Sequence, residues 1–236
     1  VIGLIMVGML VAACSGAVPA PANTPAPVQI APAAPVEAAP TADAAADAGA
    51  DAATDREVRS FTIDPTQSLA RFTLTEELMG VPTTVVGESN GVAGGIEINF
   101  ADYRQTKILP LQIDASAFTT DNNFRNRAIR RFILQSEQPQ YQYITFTPTA
   151  VAGLPTEAAV GDTFEFTVEG DLTIREVTQP VDFVVSVTPL SATELAGKAR
   201  TTVLWADFDL QIPDVPSVAN VSDDVLLEFD FVATVP

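Results

Sequence analysis

Phe164-Glu165-Phe166-Thr167-Val168-Glu169-Gly170-Asp171-Leu172-Thr173-Ile174 decides the fold: every even position is apolar or glycine and every odd position is polar. Strict alternation puts one face of an extended chain on an apolar interior and the other in water. The run Val181-Asp182-Phe183-Val184-Val185-Ser186-Val187 follows, with apolar odd positions, after the turn-rich segment Arg175 to Pro180. The two runs are expected to pair as antiparallel neighbours.

The same period extends in both directions. Val225 to Ala233 keeps its odd positions apolar, and Lys198 to Leu210 is read with Leu204, Ala206, Phe208 and Leu210 on one face. Earlier strand candidates are 58–64, 69–75, 82–88, 94–100, 107–114 and 142–149. Pro110 inside one of them predicts an edge or a bulge. A single segment has helical spacing, Asp121 to Gln135, with Phe124, Ala128, Ile129, Phe132 and Ile133 apolar and Thr120 or Asp121 as its cap. Long strands with one apolar face close on themselves or stack in two layers, and their length together with the lone helix favours a closed antiparallel barrel.

Composition divides the 236 residues into three parts. Residues 1–13, VIGLIMVGMLVAA, are apolar or glycine, and as a helix they reach about 20 Å, short of a bilayer core of about 30 Å. They are expected to be the apolar region of a signal peptide. Val11-Ala12-Ala13-Cys14 resembles the bacterial lipobox, which implies cleavage before Cys14 and acylation of that residue, the only cysteine in the chain. Residues 14–57 carry this Cys14 and an Ala/Pro/Asp-rich stretch, with 17 Ala and 7 Pro in 15–57 and no aromatic residue. Such a composition builds no core and is expected to be a disordered tether with a coil dimension of about 35 Å. All 17 aromatic residues fall within 58–236, the expected folded domain.

Charge and residue usage narrow the function. With 30 acidic and 12 basic side chains and no histidine, the chain lacks the commonest general base, the Ser–His and Cys–His pairs and imidazole ligands. A net charge of −18 disfavours nucleic acid as a partner. No metal site, cofactor or catalytic residue is expected. Asp207 with Asp209, and Asp223 with Asp224, are read as a solvated face rather than a calcium site, the former pair lacking the dense oxygen-donor loop. Arg125, Arg127, Arg130 and Arg131 crowd one helix and suit either an anionic headgroup, with Arg125 and Arg130 as candidates, or a solvated face.

Several pieces of 58–236 together resemble the YceI-like family, the polyisoprenoid-binding proteins exported by bacteria. They are Phe61-x-Ile63-Asp64-x-x-x-Ser68; Thr119, Arg125 and Ile129-Arg130-Arg131; Ile144-Thr145-Phe146; Trp205-x-x-Phe208; and Val221 to Val225. The most specific piece is Gly170-Asp171-Leu172-Thr173-Ile174-Arg175-Glu176-Val177-Thr178-Gln179-Pro180-Val181. Departures from the family pattern fall at Gln67, Asn126, Glu176 and 205–210.

The resemblance implies an all-β, lipocalin-like, eight-stranded antiparallel barrel with one short helix and an elongated apolar cavity for a long isoprenoid or similar lipid, without catalysis. The expected lining is Phe72, Ile98, Leu111, Ile144, Phe146, Phe164, Phe166, Leu172, Phe183, Leu204 and Phe229; periodicity equally allows these to be a filled core. The expected place is the cell envelope outside the cytoplasm, held to the membrane through acylated Cys14. The other reading is an envelope stress or interaction module whose barrel is packed solid.

Overall fold

The computed structural model describes residues 58–236. The expected signal segment, Cys14 and the tether lie outside the described residues. Thirteen strands follow in order: β1 (Val58–Ile63), β2 (Leu69–Leu78), β3 (Val81–Ser89), β4 (Val92–Ala93), β5 (Gly95–Asn99), β6 (Lys107–Ile108), β7 (Leu111–Asp114), β8 (Tyr143–Ala152), β9 (Phe164–Ile174), β10 (Val177–Pro189), β11 (Glu194–Leu204), β12 (Val218–Ala219) and β13 (Asp224–Thr234). One α-helix, α1 (Asn123–Ala128), lies between β7 and β8.

Most of these strands are fragments of longer passes of chain. β1 and β2 form one pass bent at residues 64–68; β3, β4 and β5 form a second; β6 and β7, parted at Leu109 and Pro110, form a third. The proline breaks its pass as expected, because it has no N–H for the ladder. With β8, β9, β10, β11 and β13 the count is eight passes. Their antiparallel pairings run around a ring: β8 to β9, β9 to β10, β10 to β11, β11 to β13. The free edge of β13 then meets β1 through Ile63↔Ala233 and β2 through Phe229↔Ala70. The second pass joins the first to the third, and β7 returns to β8 through Ile113↔Ile144. The ring closes through these pairings, while among the described residues the outer edge of β3 pairs only at the Glu88↔Thr119 bridge.

Local chemistry explains the bend in the first pass. The Asp64 carboxylate accepts from Thr66 N at 2.8 Å, from the Thr66 hydroxyl at 2.7 Å and from Gln67 Nε2 at 2.8 Å, an Asx-type turn. These donors, Gln67 first, hold its carboxyl below the usual carboxylate range. Buried Ser68 then fastens the bend to β13, its hydroxyl accepting from Val232 N at 3.1 Å.

The expected alternation holds in β9 and β10. Phe166, Val168, Gly170, Leu172 and Ile174 face inward opposite Val185 and Val187. The connection is tighter than Arg175 to Pro180: only Arg175 and Glu176 lie between the strands, and Val177 already pairs with Ile174. Arg175 at φ 57 takes the left-handed conformation that makes so short a reversal possible. Gly170 is required inside its strand for another reason. A β-carbon there would sit 2.5 Å from the Phe146 ring, which lies across the glycine from the neighbouring strand.

The helix is shorter than 121–135 and ends differently. Asn122, rather than Thr120 or Asp121, caps it, its side-chain oxygen accepting from Phe124 N at 2.8 Å and Arg125 N at 3.3 Å. After Ala128 the chain widens into a π-turn over Ile129–Ile133, closed by Leu134 N–H to Ile129 O at 2.8 Å. Ile129, Ile133 and Leu134 face the barrel, while Phe124, in the regular turn before the π-turn, and Phe132 are exposed, contrary to their assignment by helical spacing to the apolar face. Ile129, Ile133 and Leu134 of this segment wall one end of the interior together with Phe72, Val85 and Ile144. Among the described residues no helix is long and apolar enough to cross a membrane.

Candidate functional site: an apolar channel along the barrel axis

Three cavities lie inside the ring. The central one, about 130 Å³, is walled by Leu111, Ile144, Phe146, Phe166, Leu172, Phe183 and Phe229 with neighbouring aliphatic side chains. A second, about 150 Å³, lies under the helix between Phe72, Leu74, Val85, Ile129, Ile133, Trp205 and Phe208. The two share Phe118, Ile144, Ile174 and Leu227 as walls, so they adjoin across a waist. A third, only about 30 Å³, lies beyond the central one between Ile98, Phe100, Tyr103, Phe164 and Leu195, and shares Ile96, Ile108 and Phe166 with it. Shared walls thus order the cavities from the helix end through the centre to the opposite end.

The two larger volumes are close to the roughly 150 Å³ of an engineered apolar cavity that stays dry and admits benzene. The interior is thus neither packed solid nor an open water channel.

Ten of the eleven side chains expected to line the interior do so: Leu111, Ile144, Phe146, Phe166, Leu172, Phe183 and Phe229 in the centre, Phe72 under the helix, and Ile98 and Phe164 at the far end. Leu204 does not. It ends β11 opposite Asp224, faces solvent and borders only a shallow outer groove. The expected parity fails because β11 gives way at Trp205 to a 3₁₀ turn (Trp205–Phe208). Val203 points inward instead, Phe208 and Leu210 return to the interior by the turn rather than by alternation, and Ala206 is left exposed.

The polar side chains at the helix end were only half legible. Arg125 is 14% exposed, and its guanidinium donates to Glu76 Oε1 at 2.6 Å and to Asp121. Glu76, 8% exposed, is the buried acid of the helix-end cavity wall. Sequence reasoning passed over it, although Ala70, Phe72 and Leu74 set an inward parity that Glu76 continues. Arg130 borders none of the three cavities and donates instead to Phe118 O at 3.4 Å. Asn126, buried where the family pattern has an acid, accepts from Thr120 N and from the Thr120 hydroxyl, both at 2.7 Å, and so anchors the start of the helix.

At the opposite end aromatic rings do the closing. Phe61, Phe100, Tyr103, Phe164 and Phe166 form a chain of ring contacts with centroids 5.8 to 6.4 Å apart. Burial raises the Tyr103 hydroxyl above its ordinary pKa. Beside it the Arg104 side chain holds the Asp102 carboxyl down at about 2, against some opposition from desolvation. Among the described residues no group of three or more Asp, Glu, Cys or His side chains is placed to hold a metal ion.

An eight-stranded closed barrel with adjoining apolar cavities, a chain of rings at one end and a helix at the other, defines a lipocalin-like protein. The chain belongs to the YceI-like family: the YceI-like domain model matches residues 61–233. Solved structures agree in fold. A polyisoprenoid-binding domain from Saccharophagus degradans, implicated in plant cell wall breakdown, aligns with TM-score 0.60 and 20% identity over 75% of this chain and 99% of its own. Burkholderia cenocepacia BcnA aligns with TM-score 0.54 and 21% identity over 73% of this chain and 99% of its own. A mutant of the Campylobacter jejuni YceI protein aligns with TM-score 0.52 and 16% identity over 64% of this chain and 84% of its own. No curated protein matches the chain in sequence.

Proposed function

We propose that this protein binds an isoprenoid or other long-chain lipid in its barrel and carries or sequesters it in the bacterial cell envelope, tethered to the membrane through acylated Cys14. The observation that carries the reading is the succession of three adjoining apolar cavities through the barrel, with a chain of aromatic rings at the far end. Each methylene moved from water into such a channel is worth about 0.8 kcal/mol, so a long tail gains affinity without directional contacts. The polyisoprenoid-binding description of the Saccharophagus degradans domain supports the same ligand class.

The polar end of the ligand would rest under the helix. Arg125 meets it already balanced by Glu76 and Asp121, which favours an uncharged or weakly polar group over a free diphosphate. Nothing in this role requires covalent chemistry, and the reading is of a binding protein, not an enzyme.

Organic extraction of the purified chain followed by mass spectrometry tests the proposal. The expected result is one long-chain lipid in stoichiometric amount; a clean extract from protein purified without detergent overturns it. Labelling cells with a palmitate analogue tests the anchor: label is expected on the natural chain and lost in Cys14→Ser, and equal labelling of both removes the tether from the reading.

A further inference from the structure

The helix end carries apolar side chains that the barrel does not use. Met79, at the tip of the β2–β3 hairpin, is 82% exposed, and Phe124 on α1 is 76% exposed; Val81 and Phe132 are exposed beside them in sequence. Met79 at φ 51 and Gly80 at φ 81 make a two-residue reversal with both residues left-handed, a stiff mount that projects the methionine. Met79 N donates to Ser217 O at 2.8 Å, which ties the tip to a neighbouring loop. The tip and the helix belong to one rim, because Glu76, three residues before Met79, is ion-paired to Arg125, next to Phe124, at the wall of the helix-end cavity.

Residues 58–236 carry 24 acidic and 11 basic side chains, yet on this rim four arginines of α1 and its π-turn balance Glu76, Glu77, Asp121 and Glu137. Arg127 lies over the Phe124 ring at 4.8 Å, and Arg130 is held by Phe118 O. Among the described residues neither has a carboxylate within ion-pair distance. Exposed aromatic and aliphatic side chains interleaved with unpaired arginines are the chemistry of an interfacial lipid-binding surface.

We propose that this rim docks on the surface of an anionic lipid bilayer. Met79, Val81, Phe124 and Phe132 enter the headgroup boundary, and Arg127 and Arg130 meet lipid phosphates. The proposal rests on the lipid-carrier reading in one respect: docking there lets an apolar tail pass between bilayer and cavity without crossing water.

The test uses the full chain with Cys14→Ser, which removes both acylation and the native thiol. A cysteine is introduced by Met79→Cys, Phe124→Cys or, as a control in the loop at the far end, Val160→Cys, and each is labelled with an environment-sensitive nitrobenzoxadiazole dye. Phosphatidylcholine vesicles containing phosphatidylglycerol are expected to raise emission about twofold, with a blue shift, at positions 79 and 124 and to leave 160 unchanged. Pure phosphatidylcholine, or Arg127→Glu, is expected to weaken the response. No response at 79 and 124, or an equal one at 160, overturns the proposal. So does a response that rises with protein concentration without vesicles, which would make the face a contact between copies. A chain that docks but yields no lipid on extraction keeps the docking face and loses the carrier reading; a lipid-loaded chain that does not dock does the reverse.

Discussion

The two ends of the barrel are built from the same strands and do opposite things. At the far end Phe61, Phe100, Tyr103, Phe164 and Phe166 lean edge-on or tilted against one another and leave about 30 Å³. Under the helix, aliphatic side chains, the Phe72, Phe118, Trp205 and Phe208 rings and the Arg125–Glu76 ion pair leave about 150 Å³. Rings interlock into a rigid lid, whereas a helix laid across a gap can seal it only with whatever side chains face down. Ile129, Ile133 and Leu134 face the cavity, and Arg125 bridges buried Glu76 to exposed Asp121. The difference lies in how side chains meet: a continuous chain of ring contacts nearly fills the far end, whereas those under the helix leave room.

That contrast can be broken at the floor first. Phe166→Ala removes a buried ring shared by the central and far cavities and is expected to destabilise the chain by about 4 kcal/mol, read from urea unfolding. If the far end is a floor, the extracted lipid should also shift to longer tails. At the cover, Arg125→Met strands buried Glu76 and is expected to cost about 3 kcal/mol, while Glu76→Leu combined with Arg125→Met recovers most of it. A double variant as unstable as the single one would show that the pair is not the fastening.

The waist between the two main cavities gives a third measurement. Ile144→Trp fills it and is expected to lower lipid affinity about a hundredfold, close to 2.7 kcal/mol, by denying the tail the central cavity. Titration with a fluorescent isoprenoid would show this, and unchanged affinity would mean that the ligand occupies the helix end alone. The smallest expected effect is on the outer wall, away from both ends. Burial raises the Asp230 carboxyl, but hydrogen bonds from Lys198 and Arg71 outweigh it, and the net pKa is below the ordinary value. Stability from this group is therefore present above about pH 4 and is lost as pH falls through its lowered pKa. Asp230→Asn should flatten that acid limb by under about 1 kcal/mol in unfolding measured across pH, without altering lipid binding.

Much of the barrel was legible because a period of two is local: each strand states its inward face whatever it pairs with. Phe166, Leu172 and Phe183 could be placed on the interior for that reason. Leu204 could not, since its parity was carried past residue 204 into a turn that only the fold reveals. Phe124 and Phe132 failed because two apolar stripes, Phe124-Ala128-Phe132 and Ile129-Ile133, lie side by side on the helix, and only the fold shows that the second faces the barrel. Glu76 was readable in principle, but one acid on an apolar face has no meaning until its partner, 49 residues away, is known.

By itself, then, the chain's sequence determined the strand faces, the break at Pro110, the lone helix and the family, because these follow from short-range pattern and composition. Only tertiary structure decided whether the centre is hollow, which end is closed and what Arg125 holds. Those outcomes depend on how side chains from eight separate passes fill a shared volume, and no single stretch of chain contains that information.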